Sequence, residues 1–433
     1  MLRPKLACAP VMLEYSPKVL PKQLCNIERL VDALTMRNLD GVVVNSPYNM
    51  YYLSGFKGVA HKSDEPRPYA VVVSRAQPDH PILVVADYYV GSLISQPTWI
   101  EDIRTFRAVM LPLDLPAQES DLDRFLPDGI DNVPWSANLR THYGMNIVES
   151  CREALVDLGI GSGRVAFDDL RFGHQLGMEG IEVVDGYDPM MYARCVKTDA
   201  EIELLKRATS VNEKAICQAI KTWNSGMMWQ DFNHEYHRAV VDLGGFVRDP
   251  GAMVWGHPCG GDSAVTLQSR LDNFEMKPGV HILFDCHGTL DLYCWDGGKT
   301  WVVDGEAAGD AKQYANVTTA AATAVMEAMR PGVTISELQR IGRLVYRKNG
   351  VSRADEVLIF FHGLGLSHME LEQHSVDGVP NHDWRLESNM IVPIHILYPG
   401  DEHHRIWVEE VVQVTPDGGQ PFFSWGLDPL ITV

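Results

Sequence analysis

The chain has 433 residues, 45% of them hydrophobic, and a formal charge of −20. That length exceeds one ordinary core and predicts two domains of about 150–250 residues each. The acidic balance argues against nucleic acid and anionic membranes as partners and fits a soluble enzyme acting on a small-molecule substrate.

Eight cysteines without a C-x-x-C pair read as the scattered thiols of a reduced, cytoplasmic protein. The first twenty residues hold no apolar run of signal-peptide length, and no uncharged apolar stretch is long enough to predict a membrane span.

In chain order, residues 22–37 read as an amphipathic helix, followed by a strand at Val42 to Val44. A turn is expected at Ser46-Pro47, and an aromatic segment with Tyr51 and Tyr52 is expected to pack the small domain. Apolar runs at 69–74 and 81–87 read as strands, 148–159 as a helix, and RVAFDD as a short strand. Strands alternating with helices imply a small α/β domain over residues 1–187. No G-x-G-x-x-G follows its first strand, so dinucleotide binding has no support.

A second domain is expected over residues 188–433. Thr198 followed by Glu201 has capping-box spacing and predicts a helix from Asp199 to Trp223, ended by Asn224-Ser225-Gly226. Residues 215–245 and 320–350 form a faint repeat, each a helix, a glycine break and a second amphipathic helix. Strand-like runs follow each copy. This pattern suggests a pseudo-twofold α+β domain, with helices on one face of an antiparallel sheet.

The chemistry gathers on those strands. Asp285 and Asp296 lie eleven positions apart in what reads as a hairpin, FDCHGTLDLYCWDGGKT. They are either two solvated turn residues or a pair brought together, with a cation or Lys299 offsetting their repulsion and desolvation. His362 ends the apolar run VLIFF, His395 sits inside IVPIHIL, and Glu409 alternates with apolar neighbours in IWVEEVVQVT. Alone, His362 reads as a hydrogen-bonded loop residue, His395 as a satisfied core histidine and Glu409 as a side chain pointing to water. Five such groups on the strands of one domain can instead satisfy one another through a metal.

These segments resemble the pita-bread (M24) family: methionine aminopeptidase, prolidase, aminopeptidase P, creatinase and relatives. The matches run in order. They are R-x-x-K-x-x-x-E (Arg194, Lys197, Glu201), the Asp pair with Tyr293 to Thr300, H-G-x-G (His362 to Gly365) and E-x-x-V-x-V-T (Glu409 to Thr415). The small domain, including SPYNMYYLSGF, resembles the amino-terminal domain of the creatinase and prolidase branch. The resemblance implies metal ligands at Asp285, Asp296, His362, His395 and Glu409. His395 stands where the family usually has Glu, which removes one negative charge. Two histidines and two carboxylates suit a divalent transition metal (Zn, Fe, Mn or Co). One ion or two are implied, the second on Asp285 and bound more weakly. A homodimer is also implied.

Other positions depart from peptidase patterns. The family histidine expected near Leu267-Gln268 is absent, and His257 is the nearest substitute. His368 follows H-G-x-G one residue closer than usual, and His287 stands two residues after Asp285. This resembles the creatinase and dimethylsulfoniopropionate-lyase branches and implies substrate chemistry for His287 and His368.

The leading expectation is metal-dependent hydrolysis of a C–N bond in a small polar substrate, with these two histidines transferring protons. The alternatives are a lyase on the same scaffold, a metal-independent hydrolase of the creatinase type, and a non-catalytic binding module. His403 and His404 in a polar loop read as solvated, His234 as part of a polar helix face. Cys259 lacks a visible base.

Overall fold

Asn26 accepts a hydrogen bond from the Arg29 amide and starts α1 (Ile27–Met36). The computed structural model describes residues 23–58, 68–96, 98–107, 119–126, 130–255, 267–268, 273–370 and 382–431; His257 and Cys259 lie outside them. Two compact units are present, Met1–Ala193 and Arg194–Val433.

In the first unit, β1 (Gly41–Val44) leads into α2 (Pro47–Ser54). The turn expected at Ser46-Pro47 is therefore the start of a helix. Proline in the first helical turn has no amide to lose and a φ that already suits the helix. Gly55, at φ 71°, ends it. Tyr52 is buried within this unit and donates to the Ala193 carbonyl at 3.1 Å.

The strands β2 (Tyr69–Ser74), β3 (Gln77–Ala86), β4 (Asp102–Phe106), β5 (Tyr143–Gly144), β6 (Gly163–Phe167) and β7 (Ile181–Asp185) join β1 in one mixed sheet. Its order is β5-β4-β3-β2-β1-β6-β7. The helices α3 (Val90–Ser95), α4 (Ala137–Thr141), α5 (Ile147–Asp157) and α6 (Leu170–Gln175) connect these strands.

The division between units falls inside α7 (Tyr187–Cys195). The capping box then opens α8 (Asp199–Ile220), with the Thr198 amide donating to Glu201 Oε2 at 2.9 Å. This helix ends three residues before the expected Trp223. It packs on α9 (Trp229–Asp242), and α10 (Asp310–Ala328) packs on α11 (Ile335–Lys348). These are the two repeated helix pairs.

The strands of this unit are β8 (Phe246–Trp255), β9 (Leu267–Gln268), β10 (His281–Leu290), β11 (Tyr293–Trp295), β12 (Gly298–Val302), β13 (Leu358–Phe361), β14 (Ile391–Tyr398), β15 (Ile406–Thr415) and β16 (Gly418–Pro421). They run β13-β14-β15-β12-β10-β8-β9, with β11 on β10 and β16 on β15, all antiparallel. The first helix pair contacts β8, β10 and β11, the second β13 to β16.

Strand alternation decides what reaches the helices. Ile282, Phe284 and Cys286 of β10 join one helix-side core, and Val392, Ile394 and Ile396 of β14 join the other. Leu283, Leu397 and Trp407 pack together on the opposite face. That face carries the polar cluster. Among the described residues, no helix is long and apolar enough to cross a membrane.

Candidate metal centre

His395 and Glu409 are register partners on β14 and β15, and Glu409 in turn pairs with Gly298 of β12. Asp296 lies just before β12, in the turn with Gly297, whose φ of 106° suits only glycine without strain. His362 follows the last residue of β13. Three strands and one turn thus deliver four side chains to one point. Donor atoms of Asp296, His362, His395 and Glu409 all lie within 4.8 Å of one another, and all four residues are buried.

Contacts within the group are short. His395 Nε2 stands 2.8 Å from Glu409 Oε1, and His362 Nε2 3.2 Å from Asp296 Oδ2. The far side of each ring is fixed by a carbonyl: His395 Nδ1 to Phe360 O at 3.2 Å, His362 Nδ1 to Gly363 O at 2.9 Å. A carbonyl only accepts, so both Nδ1 atoms carry the proton. In a neutral ring Nε2 then presents a lone pair inward, the usual tautomer of a metal-bound histidine.

Burial, with His362 beside it, pulls the His395 imidazole down to about 3, so this ring is neutral. Burial, with Asp296 and Asp285 nearby, pushes the Glu409 carboxyl well above the usual range. Neither Glu409 oxygen meets an aligned hydrogen-bond donor, although His395 Nε2 is close. A buried acceptor faces a buried acceptor, an arrangement that costs energy unless a proton or a cation lies between. The residues therefore fit a divalent cation.

A second set of donor atoms converges on Asp296, from His287 and His368. His368 Nε2 is 2.8 Å from Asp296 Oδ2, and His287 Nε2 is 3.3 Å from Oδ1. The two rings lie 4.0 Å apart. Burial disfavours the Asp296 carboxylate, yet His368, His287 and His362 outweigh it and hold the group well below its ordinary range. Burial also disfavours the His287 cation, but Asp285 and Asp296 push its pKa up to about 10.

Asp285 stands outside both convergent sets. Its Oδ1 lies 2.9 Å from His287 Nε2. Lys299, considered as a partner for the two aspartates, is not one. It follows Gly298 and so faces the helix side of β12, where it donates to the carbonyls of Trp425 and Gly426. His403 and His404 are exposed, in contact with Gly279 O and Asp401. His234 is exposed on α9.

Two supporting networks surround these groups, and the sequence marked them only in part. Glu370 is buried and accepts from Arg194 Nε at 3.1 Å and Lys197 Nζ at 2.7 Å. Its backbone bridges Gly363, which ties the loop carrying His362 and His368 into a closed turn. Behind Asp296, Asn212 Nδ2 donates to Gly297 O at 2.9 Å. Tyr236 donates to Asn212 Oδ1 at 3.0 Å, and Trp295 Nε1 donates to Tyr236 at 3.1 Å. R-x-x-K marked one end of the first network; no local signal marks Glu370 or Asn212.

The profile of metallopeptidase family M24 matches residues 203–416, and the Creatinase/Prolidase N-terminal domain profile matches residues 26–172. An uncharacterized peptidase of Staphylococcus aureus is 24% identical over 228 residues, 52% of this chain and 61% of the relative. A probable Xaa-Pro aminopeptidase of Coccidioides posadasii is 26% identical over 207 residues, 44% of this chain and 43% of the relative. The chain thus spans less than two thirds of the length of these curated relatives. The prolidase from Pyrococcus furiosus shares the fold at TM-score 0.62 and 17% identity, over 90% of this chain and 98% of that one. With the two profiles in order along a prolidase-like fold, the chain belongs to metallopeptidase family M24, in its creatinase and prolidase branch.

Proposed function

We propose that this chain is a metal-dependent hydrolase that cleaves a C–N bond in a small, polar, peptide-type substrate. The observation that carries the reading is the buried meeting of His395 Nε2 and Glu409, two acceptors with no donor between them. Asp296, His362, His395 and Glu409 would hold a divalent cation, and two imidazoles with two carboxylates suit Zn, Fe, Mn or Co. Once bound, the ion supplies Lewis acidity to activate water and polarise the scissile group.

The remaining roles belong to side chains. Asp296 holds His368 Nε2 at 2.8 Å, and the His368 side chain is 32% exposed, which leaves it access to a leaving nitrogen. His287, its ring 4.0 Å from that of His368 and held by Asp285, is the second proton carrier. The homodimer implied by the family resemblance belongs to this proposal, and light scattering tests it.

The test joins elemental analysis of purified protein with a screen of dipeptides, creatine-like guanidines, ectoine-like cyclic amidines and sulfonium acids in oxygen-18 water. Metal lost in Asp296→Ala and His362→Ala, with label entering the product, supports the reading. Full metal content in both variants sinks it, and turnover with no label uptake means a lyase. A metal-independent hydrolase is the second reading, favoured by the two histidines that contact Asp296 directly. Turnover unchanged by chelation would establish it.

A further inference from the structure

We propose that Arg194 is a positioning residue for His368. Through Ser367 and Glu370 it fixes the backbone that holds this imidazole against Asp296, a role that rests on the reading of His368 as a proton carrier.

His368 is held differently from the two buried histidines near it. His362 and His395 each have a backbone carbonyl behind the ring, at Gly363 and Phe360, so each imidazole is fixed from both sides. The His368 ring makes a single hydrogen bond among the described residues, between Nε2 and Asp296 Oδ2 at 2.8 Å. Its neighbour Met369 is 55% exposed, so burial of that side chain does not anchor the loop. The direction of the His368 ring is therefore set by the chain beneath it.

That chain is fixed by one buried guanidinium. Arg194 Nη2 donates to Ser367 Oγ at 2.9 Å, on the residue before His368. Arg194 Nε donates at 3.1 Å to Oε1 of Glu370, two residues after His368, and Nη2 donates to the same oxygen. The Ser367 amide also donates to Oε1, at 3.3 Å, while Lys197 Nζ takes Oε2 at 2.7 Å. Both flanks of His368 thus end on Arg194. A planar fork can serve two acceptors at once, which the single compact charge of lysine cannot reproduce.

The arginine is itself anchored. Val196 forms a bridge with Met390, and the Lys197 amide donates to Asn389 O at 3.0 Å, immediately before β14. The Leu364 amide donates to Ile391 O, the first residue of that strand, at 3.0 Å. The strand that supplies His395 therefore also sets the height of the loop that carries His368.

The experiment measures carbethoxylation of each histidine by diethyl pyrocarbonate at one fixed pH, read by peptide mass spectrometry on the chelator-treated full chain. The exposed His403 and His404 serve as internal references. Ser367→Ala and Arg194→Lys should each raise the His368 rate about 10-fold, the worth of one charge-assisted hydrogen bond. The double variant should be no faster than either single one, since both remove the same contact. Ser367→Thr keeps the hydroxyl and should react like wild type; the two Ser367 variants decide the matter if Arg194→Lys does not fold. An unchanged His368 rate in Ser367→Ala would overturn the inference, as would a Ser367→Thr rate equal to that of Ser367→Ala. Additive gains in the double variant also overturn it. So does an equal rise at the buried His362, because the loop has then opened as a whole. On a substrate found by the screen above, kcat should fall in Ser367→Ala while KM and metal content stay at wild-type values; lost metal would place the effect on Asp296 and refute the role given to Arg194. Carbethoxylation needs neither metal nor turnover, so it judges this inference separately from the metal-dependent reading.

Discussion

His395 Nε2 and Glu409 Oε1 face each other across the β14–β15 pair at 2.8 Å, both buried, with the imidazole fixed from behind. The Nδ1 bond to Phe360 O and stacking on the Phe360 ring at 4.1 Å leave the imidazole no other orientation. His395→Ala should weaken metal binding by more than the roughly 10–100-fold that loss of an outer-shell partner costs. Competition with a fluorescent chelator measures it. Unchanged affinity would remove His395 from the ligand set.

Removing the ion should destabilise the fold. Both Glu409 oxygens are then left to burial and to the neighbouring acids, which together favour its neutral form. A ligand present at 1,000 times its dissociation constant adds about 4 kcal/mol to the state that binds it. Calorimetry with and without chelator should show a lower melting transition in the chelated protein. Asp296→Ala should melt at the lower temperature whether or not metal is added.

The loop after β13 offers a test by crowding. A Cβ on Gly365 would lie 2.6 Å from Glu370 Oε2, and that carboxylate cannot retreat because Lys197 and Arg194 grip it. This accounts for the second glycine of H-G-x-G. Gly365→Ala should cost about 1–3 kcal/mol by overpacking. In a Glu370→Ala background the cost should fall sharply, a non-additivity that a double-mutant cycle in urea reads directly. Additive costs would mean the strain lies elsewhere.

Glu370 also predicts a pH dependence. Burial raises its pKa, but Arg194 and Lys197 outweigh that and hold it at about 2, below its ordinary 4.5. A depressed folded pKa stabilises above the unfolded value, and the gain is lost as pH falls from 4.5 toward 2. The full effect is about 3 kcal/mol. Urea midpoints of wild type should therefore drop more steeply between pH 5 and pH 3 than those of Glu370→Gln. Equal slopes would show that the ion pair does not carry the acid sensitivity.

The sequence made the sheet side of the site legible because strand alternation sets polar residues against apolar neighbours: His395 within IVPIHIL, Glu409 within IWVEEVV. Both ends of that ladder met where period two places them. Counting failed across turns. Asp296 precedes Gly297 in a left-handed conformation, so the strand rhythm restarts at Gly298 and Lys299 lands on the helix face. Ser46-Pro47 failed for a different reason, since proline opens helices as readily as it makes turns. The Glu370 ion pairs join residues 173 and 176 positions apart. No local pattern encodes such a pairing; it exists only once β13 and α7 are in place.

Asn212 gives the last test, because it reaches the centre without touching any convergent donor atom. It sits on α8, buried, and its amide binds the carbonyl of Gly297, whose own amide donates to Asp296 Oδ1 at 2.9 Å. Tyr236 and Trp295 complete the chain of donors behind it. Asn212→Ala leaves the Tyr236 hydroxyl without its acceptor and frees the Asp296–Gly297 turn. The expected stability loss is about 1–3 kcal/mol. Metal affinity should fall roughly 10–100-fold, as for other residues that orient a ligand. Tyr236→Phe separates the two effects: it strands the buried Trp295 N–H and costs comparable stability, while Asn212 keeps its bond to Gly297 and metal affinity stays near wild type. If both variants lose affinity in proportion to their stability, the network only supports the fold and does not aim Asp296.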